Sequence, residues 1–305
     1  FSTDIVEDLS RRDFTINAMA IELPNQELMD PFGGLADLEA ARLKTPLDPE
    51  VSFTDDPLRM LRAARFTAGY GLQPTIDLVG AMQSLAERIE VVSAERVRDE
   101  LDRLLGVDQP GAGLVLLAQT GLLELVLPEL QVATVTHSAE VVDSLAADPV
   151  IRLAALLFGC EPPVVPSRLH LLRHSKDRRR DTLLLVAAAA RLVAGEITDP
   201  PSLRRWIGEV AARRDDARAL AIQISEDGRQ GAELSRELEN RLGDELDDLS
   251  PALSGKQVMA ELGLPAGKRV GEALAFLQDL RFDHGPMDPD DARRRLRAWW
   301  REQGG

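Results

Sequence analysis

The chain has 305 residues, 44% hydrophobic and 29% charged, with 36 Lys and Arg against 51 Asp and Glu for a net charge of −15. At about 150 residues per domain this gives room for roughly two domains with sizeable cores, and the balance excludes general disorder. A single cysteine excludes a disulfide framework and a cysteine-based zinc site, and the longest apolar run, Leu183 to Ala190, is far short of the roughly 18 residues of a membrane helix.

The chain opens on Phe1 in a polar segment, FSTDIVEDLS, and runs closely into a strand-like stretch, as the middle of a domain would. No charged start followed by an apolar run marks a signal peptide, and a reduced, cytoplasmic setting fits. Phe14 to Leu23 carries β-formers in loose alternation and is expected as a strand, with Glu27 to Phe32 a second and the PNQ segment between them a turn. Gly33-Gly34 ends the strand region, and from Leu35 onward nearly everything reads as helix. Asp37 to Arg42 is a short one. Pro57 to Tyr70 is stronger, with Asp56 placed to cap it and Pro57 in its first turn.

Ile76 to Arg88 has helical spacing. Ser93 to Leu105 has Ser93 as N-cap and Val92 with Val97 as a hydrophobic staple. Amphipathic helices follow over Gly111–Thr120, Ala139–Ala146, Val150–Phe158, Asp177–Ala194, Pro201–Arg213 and Asp215–Gln223. Pro162 to Pro166 reads as a linker, and the acidic stretch Ser225 to Ser250 as exposed helix. The segments Gly255–Gly263, Val270–Phe282 and Pro289–Gln303 form a distinct C-terminal bundle. The fold class is α+β, predominantly α.

The charge is unevenly spread. From Arg168 to Arg218 twelve Lys and Arg face seven Asp and Glu, whereas from Ala221 to Ser250 three Arg face nine Asp and Glu. An acidic chain can repel a polyanion on one surface and bind it on another, so the total does not exclude nucleic acid.

Four clusters carry possible chemistry. In Arg11-Arg12-Asp13-Phe14-Thr15-Ile16-Asn17, the arginines suit phosphate oxygens and the carboxylate suits sugar hydroxyls, unless they are a surface pair at a strand start. Asp30-Pro31-Phe32-Gly33-Gly34-Leu35-Ala36-Asp37-Leu38 reads as a tight structural turn braced by Asp37. Asp55-Asp56-Pro57-Leu58-Arg59-Met60-Leu61-Arg62-Ala63-Ala64-Arg65-Phe66 sets three arginines at i, i+3 and i+6 on one broad helical face, while Asp56 or Asp55 can also serve as a cap. Val92-Ser93-Ala94-Glu95-Arg96-Val97-Arg98-Asp99-Glu100-Leu101 reads as a capped helix with internal ion pairs. The four histidines, His137, His170, His174 and His284, are scattered and read as structural or exposed.

In series, these four clusters resemble the second to fifth motifs of the class II CCA-adding tRNA nucleotidyltransferases and bacterial poly(A) polymerases, within the polymerase-β-like superfamily. Ile151–Leu157 and Leu171–Arg180 are similar to that family's helical body, and Leu253–Gly271 to its tail. The resemblance implies the C-terminal strands of a nucleotidyltransferase head (about 1–50), then an all-helical neck (51–105), body (106–225) and tail (226–305). It implies template-independent addition of CMP and AMP, from CTP and ATP, to the 3′ end of tRNA. A poly(A) polymerase uses the same residues, and a non-catalytic RNA-binding helical module is the reading from a different class.

The residues that the resemblance assigns to the nucleotide are Arg12, Asp13, Asn17, Asp56, Arg59, Arg62 and Arg65. A carboxylate beside a guanidinium matches the amino donor and ring acceptor shared by cytosine and adenine and opposes guanine and uracil, so Asp56 and Arg59 would read the base. Arg62 and Arg65 would lie along the nucleotide or the primer end. The densest basic cluster, Arg168, Arg173, Lys176, Arg178, Arg179 and Arg180, is the expected RNA contact. Two departures stand out. The family's Gly-rich turn and Asp-x-Asp pair, which hold Mg2+, are expected upstream of RRDFT, so no catalytic or metal residue is assigned here and the chain as it stands is expected not to catalyse. The fourth motif opens with Asp55-Asp56 where Glu-Asp is usual.

Overall fold

The computed structural model describes residues 4–130, 132–161 and 163–303. The chain divides between Val186 and Ala187 into two units, the boundary falling inside one long helix.

The first unit begins with α1 (Ile5–Ser10), the antiparallel hairpin β1 (Ala20–Glu22) and β2 (Glu27–Met29), α2 (Gly34–Glu39) and β3 (Arg42–Leu43). The expected strand from Phe14 to Leu23 shrinks to its last third. Asp13 competes with extended backbone by accepting hydrogen bonds from the Phe14 amide (2.9 Å) and Asn17 Nδ2 (3.1 Å), and residues Thr15–Asn17 wind into a 3-10 turn instead. The helix expected at Asp37–Arg42 starts three residues earlier. Asp30 takes the Gly34 and Leu35 amides at 2.6 and 2.9 Å and thereby caps it. Gly34 is required there, because a Cβ would fall 2.2 Å from the Thr15 carbonyl oxygen. Asp37, buried, braces the turn through Thr15 Oγ1 (2.8 Å) and Arg42 Nε (3.0 Å).

Next come α3 (Pro49–Asp55), α4 (Leu58–Tyr70), β4 (Gln73–Pro74, parallel to β3), α5 (Ile76–Ser84), a 3-10 turn over Ala86–Val91, and α6 (Ala94–Leu105). The sequence reading missed α3, although Asp48-Pro49 carries the same Asp-Pro start signal used elsewhere and Asp48 accepts from the Glu50 amide at 2.8 Å. The Ser93 cap of α6 holds, its hydroxyl accepting from Arg96 N. Then follow α7 (Gly111–Gln119), α8 (Leu122–Val126), α9 (Val135–Asp143), α10 (Pro149–Leu156), α11 (Val164–Leu171) and α12 (Lys176–Val193). The linker expected at 162–166 is largely the start of α11, with Pro166 tolerated in a first turn whose amides need no helical partner; residue 162 lies outside the described residues.

Helix α4 is the spine of this unit. Met60, Leu61, Ala63 and Ala64 are buried, and α4 packs on α6 and α7. Gly113 of α7 lets the two helices touch, since a Cβ there would lie 2.6 Å from the Ala64 carbonyl oxygen. Behind them Arg152, 1% exposed, donates to the carbonyls of Leu105 (2.8 Å), Val107, Asp108 (2.9 Å) and Leu145 (2.9 Å), tying the end of α6 to the end of α9.

The second unit holds α13 (Pro200–Val210), α14 (Arg214–Ile224), α15 (Glu226–Leu242), α16 (Gly255–Leu262), α17 (Lys268–His284) and α18 (Pro289–Glu302). The acidic stretch is not simply an exposed helix. Gly228, Gly231, Ala232, Ser235 and Leu238 of α15 are buried, and Gly231 sits where a Cβ would be 2.1 Å from the Leu192 carbonyl oxygen. Arg218, 2% exposed, pairs with Glu239 and lies 5.2 Å from the Trp206 ring centroid. The C-terminal bundle has its own core of Leu253, Val258, Val270, Ala273, Leu277, Ala292 and Leu296, with Phe276 stacked on Trp299 at 4.9 Å. Among the described residues no helix is long and apolar enough to cross a membrane.

Replacing Arg152 strands four carbonyls in the interior. Arg152→Met is expected to lower the stability of the first unit by about 3–5 kcal/mol in urea denaturation. A loss under about 1 kcal/mol would show that those carbonyls find other partners.

Candidate active site

Asp13 leaves the end of α1 with only 8% of its surface exposed. Its Oδ1 accepts from Phe14 N and Asn17 Nδ2, and its Oδ2 accepts from Arg62 Nε (2.9 Å) and Arg62 Nη2. Burial pushes the carboxyl upward, but the hydrogen bonds from Arg62, Asn17 and the Phe14 amide, with the Arg62 charge, outweigh it and hold Asp13 below its ordinary value of 3.8. All four acceptor positions are engaged, so Asp13 positions Arg62 rather than presenting a free oxygen for a sugar.

Asp56 sits between α3 and α4. Its Oδ1 accepts from the Leu58 amide at 3.3 Å, which is the expected cap, and Arg96 Nη2 reaches both carboxylate oxygens at 3.1 Å. Arg59, one turn on, donates from Nη1 to Ser52 Oγ at 2.8 Å and to the Ser52 carbonyl at 3.3 Å, and from Nη2 to the Arg11 carbonyl.

These groups line one cavity of about 420 Å³, walled by Arg11, Arg12, Asp13, Asn17, Asp56, Leu58, Arg59, Arg62 and Arg96. Five guanidinium groups and two carboxylates line it; with Glu7 paired to Arg11 (2.5 Å) and Asp8 to Arg12 (3.1 Å), a small positive surplus remains. The volume is within the range of small-ligand pockets. Six of the seven residues assigned to the nucleotide meet here: Arg12, Asp13, Asn17, Asp56, Arg59 and Arg62. Arg65 does not. Each step of three residues turns a helix by about 60° backward, so Arg65 stands about 120° around α4 from Arg59. It pairs with the fully buried carboxylate of Glu100, its guanidinium 4.7 Å from the Phe66 ring centroid. Two further residues line the cavity: Arg11, which the first cluster offers for phosphate but the nucleotide set leaves out, and Arg96, which follows the Ser93 cap by three residues and reads in sequence as part of an ion-pair helix.

The six residues expected to touch RNA have different partners in the structure. Arg168 is held by Glu129 at 2.8 and 2.9 Å on a separate groove. Arg179 bonds His170 Nδ1 at 3.1 Å, and Arg180 pairs with Asp177 and Asp181. Lys176 is exposed at the start of α12. Arg173 and Arg178 share a second cavity with Arg98 and His174. Magnesium is the ion that the resemblance implies. Among the described residues no group of three or more His, Cys, Asp or Glu could hold a metal, and Asp13 and Asp56 are occupied by Arg62 and Arg96. The residues present do not fit the ion.

Two family profiles match: the poly A polymerase head domain over residues 1–44, and the "Probable RNA and SrmB- binding site of polymerase A" over residues 71–134. The A-adding tRNA nucleotidyltransferase of Deinococcus radiodurans is 31% identical over 99% of this chain and 81% of its own length. The chain belongs to the tRNA nucleotidyltransferase and poly(A) polymerase family. The multifunctional CCA protein of Xanthomonas campestris is another relative of this nucleotidyltransferase, 33% identical over 90% of the chain and 77% of its own. Among solved structures, the CCA-adding enzyme of Bacillus stearothermophilus in complex with CTP superposes with a TM-score of 0.75 at 24% identity, over 100% of this chain and 77% of that one. The α+β, mostly helical fold of the nucleotidyltransferase family is thereby established, and the cavity lies where the first profile match and the start of α4 come together.

The depressed value of Asp13 sets the sign of its pH dependence. The ionised carboxylate stabilises the first unit above its ordinary value of 3.8, and the contribution drains as pH falls through the lower folded value. The stability gap between wild type and Asp13→Asn in urea is expected to be constant from about pH 7 down to about pH 5 and to shrink below 3.8. A gap that does not change with pH would contradict the buried ion pair.

Proposed function

We propose that this chain is the nucleotide-selecting and RNA-binding part of a tRNA nucleotidyltransferase that adds CMP and AMP, from CTP and ATP, to the tRNA 3′ end. The observation that carries the reading is the arginine-lined cavity in which the RRD segment and the start of α4 converge. Residues 1–50 would serve as head, 51–105 as neck, 106–225 as body and 226–305 as tail. The nucleotides and tRNA imply a cytoplasmic setting. A magnesium ion would need carboxylates other than Asp13 and Asp56 to hold it.

Base choice follows from donors and acceptors. Arg59 has five N–H groups, of which its bonds to Ser52 and the Arg11 carbonyl use three, leaving donors for the ring nitrogen of cytosine or adenine. Among the described residues Asp56 Oδ2 accepts only from Arg96, and it keeps capacity for the exocyclic amino group. Uracil and guanine would set a carbonyl against that carboxylate. Arg96 orients Asp56, while Arg11, Arg12 and Arg62 present positive charge to the triphosphate, with Arg62 fixed by Asp13 and Asn17 turned to the same wall. Arg65 acts through the packing of α4. Arg168, Arg173, Lys176, Arg178, Arg179 and Arg180 would meet tRNA phosphates in separate groups. A poly(A) polymerase would use the same cavity but favour ATP over CTP.

The test is the affinity for each nucleotide by calorimetry. Arg59→Ala is expected to weaken CTP and ATP by roughly ten- to hundredfold, as loss of a charge-assisted donor does. Asp56→Ser keeps a helix cap but not the charge, and it is expected to narrow the preference for CTP over UTP. Unchanged selectivity in Asp56→Ser would leave Asp56 as a cap alone.

A further inference from the structure

The second cavity of the first unit has features that the nucleotide site does not use. It encloses about 390 Å³ between α6 and the turn into α12, and is lined by Arg98, Asp102, Arg173, His174, Ser175 and Arg178. Arg98 Nη1 donates to the Arg173 carbonyl at 2.6 Å, which fixes the turn to α6. Arg173 itself adopts a left-handed φ of 58°, uncommon outside glycine. Ser175 opens α12, its hydroxyl accepting from Arg178 N at 3.2 Å.

The cavity is not electrostatically closed. Arg98 pairs with Asp99 at 2.6 Å and Arg178 with Asp102 at 2.9 Å, but Arg173 is exposed and forms no ion pair among the described residues. His174 is 5% exposed, and its Nε2 has no hydrogen-bond partner; neither has the buried Nε of Arg178. Unpaired buried polar atoms are costly, and two gather here beside three guanidinium groups and the start of an 18-residue helix.

We propose that this cavity is a phosphate-binding site, taking one phosphodiester of the tRNA backbone between Arg98, Arg173 and Arg178. A tetrahedral oxyanion has the charge and the acceptors to match the exposed, unpaired Arg173 and the guanidinium groups of Arg98 and Arg178 that line the cavity with it. The proposal rests on reading the chain as a tRNA-binding protein, and it adds Arg98, Ser175 and His174 to the residues involved. A bound anion also reports on itself. Burial first, then the positive charges of Arg178 and Arg98, lower His174 to about 4, with Asp99 opposing them. Asp102 lies 4.0 Å from His174 Nδ1, and burial raises its own value. A phosphate beside the imidazole would offset the arginines and raise the histidine.

Two measurements on the full chain test this. The first is the salt dependence of tRNA affinity. Arg173→Ala, which breaks no ion pair, is expected to reduce the slope of log affinity against log salt by about one; Arg178→Ala should weaken binding at least as much, and an unchanged slope in Arg173→Ala overturns the proposal. The second follows the His174 ring nitrogens by NMR across pH. A short RNA duplex without terminal phosphates is expected to raise the value from about 4 by about one unit. A rise with inorganic phosphate but not with the duplex makes this an adventitious anion pocket and overturns the tRNA assignment. No rise with either overturns the site. Because CTP binding reads the first cavity independently, normal CTP affinity with either negative result defeats this proposal and leaves the proposed function standing.

Discussion

The buried pair of Asp13 and Arg62 is the interaction on which the rest of the site depends. It joins the segment after α1 to the middle of α4 across 49 positions of sequence. Burying a carboxylate is costly unless every lone pair is answered, and here two backbone-proximal donors and a two-pronged guanidinium answer it. Phe14 and Phe66 pack beside the pair with ring centroids 5.2 Å apart, so polar and apolar contacts fix the same joint. The Arg11 carbonyl is thereby brought within reach of Arg59, and the two sides of the cavity become one wall.

Along α4 three arginines at equal spacing meet three different fates. Arg59 faces the cavity, Arg62 is locked to Asp13, and Arg65 turns into the core side to Glu100. The helix period alone separates them, because a spacing of three residues drifts by about 60° each time. The helix is therefore both a structural spine and one wall of the cavity. Its far side packs on α6 and α7, and the glycine at 113 permits the close crossing that keeps that wall in place.

Much of this was legible in the sequence because the signals were local. Ser93 and Asp56 cap where serine and aspartate before a helical run should cap, and four clusters in order carried the family resemblance. What stayed hidden was set by distant partners. No periodicity announces that Arg152 and Arg218 are buried, since their partners are carbonyls and a carboxylate far along the chain or across a helix pair. Arg96 looked like one charge among many until the fold brought it across 40 positions to Asp56. The acidic helix α15 looked solvated because glycine carries no hydrophobic signal, yet Gly228 and Gly231 make its tightest contacts. At Phe14 to Leu23 the β-formers misled, because one side-chain-capped turn outweighed weak strand propensity.

The central claim is that Asp13 acts on the nucleotide through Arg62. A double-mutant cycle read by CTP affinity tests it directly, with Asp13→Asn, Arg62→Gln and the two together. Each single change is expected to weaken CTP about tenfold, with the double variant within about threefold of the worse single, because both remove the same joint. Losses that multiply to about a hundredfold would show that Asp13 and Arg62 meet the nucleotide independently, and would contradict the account.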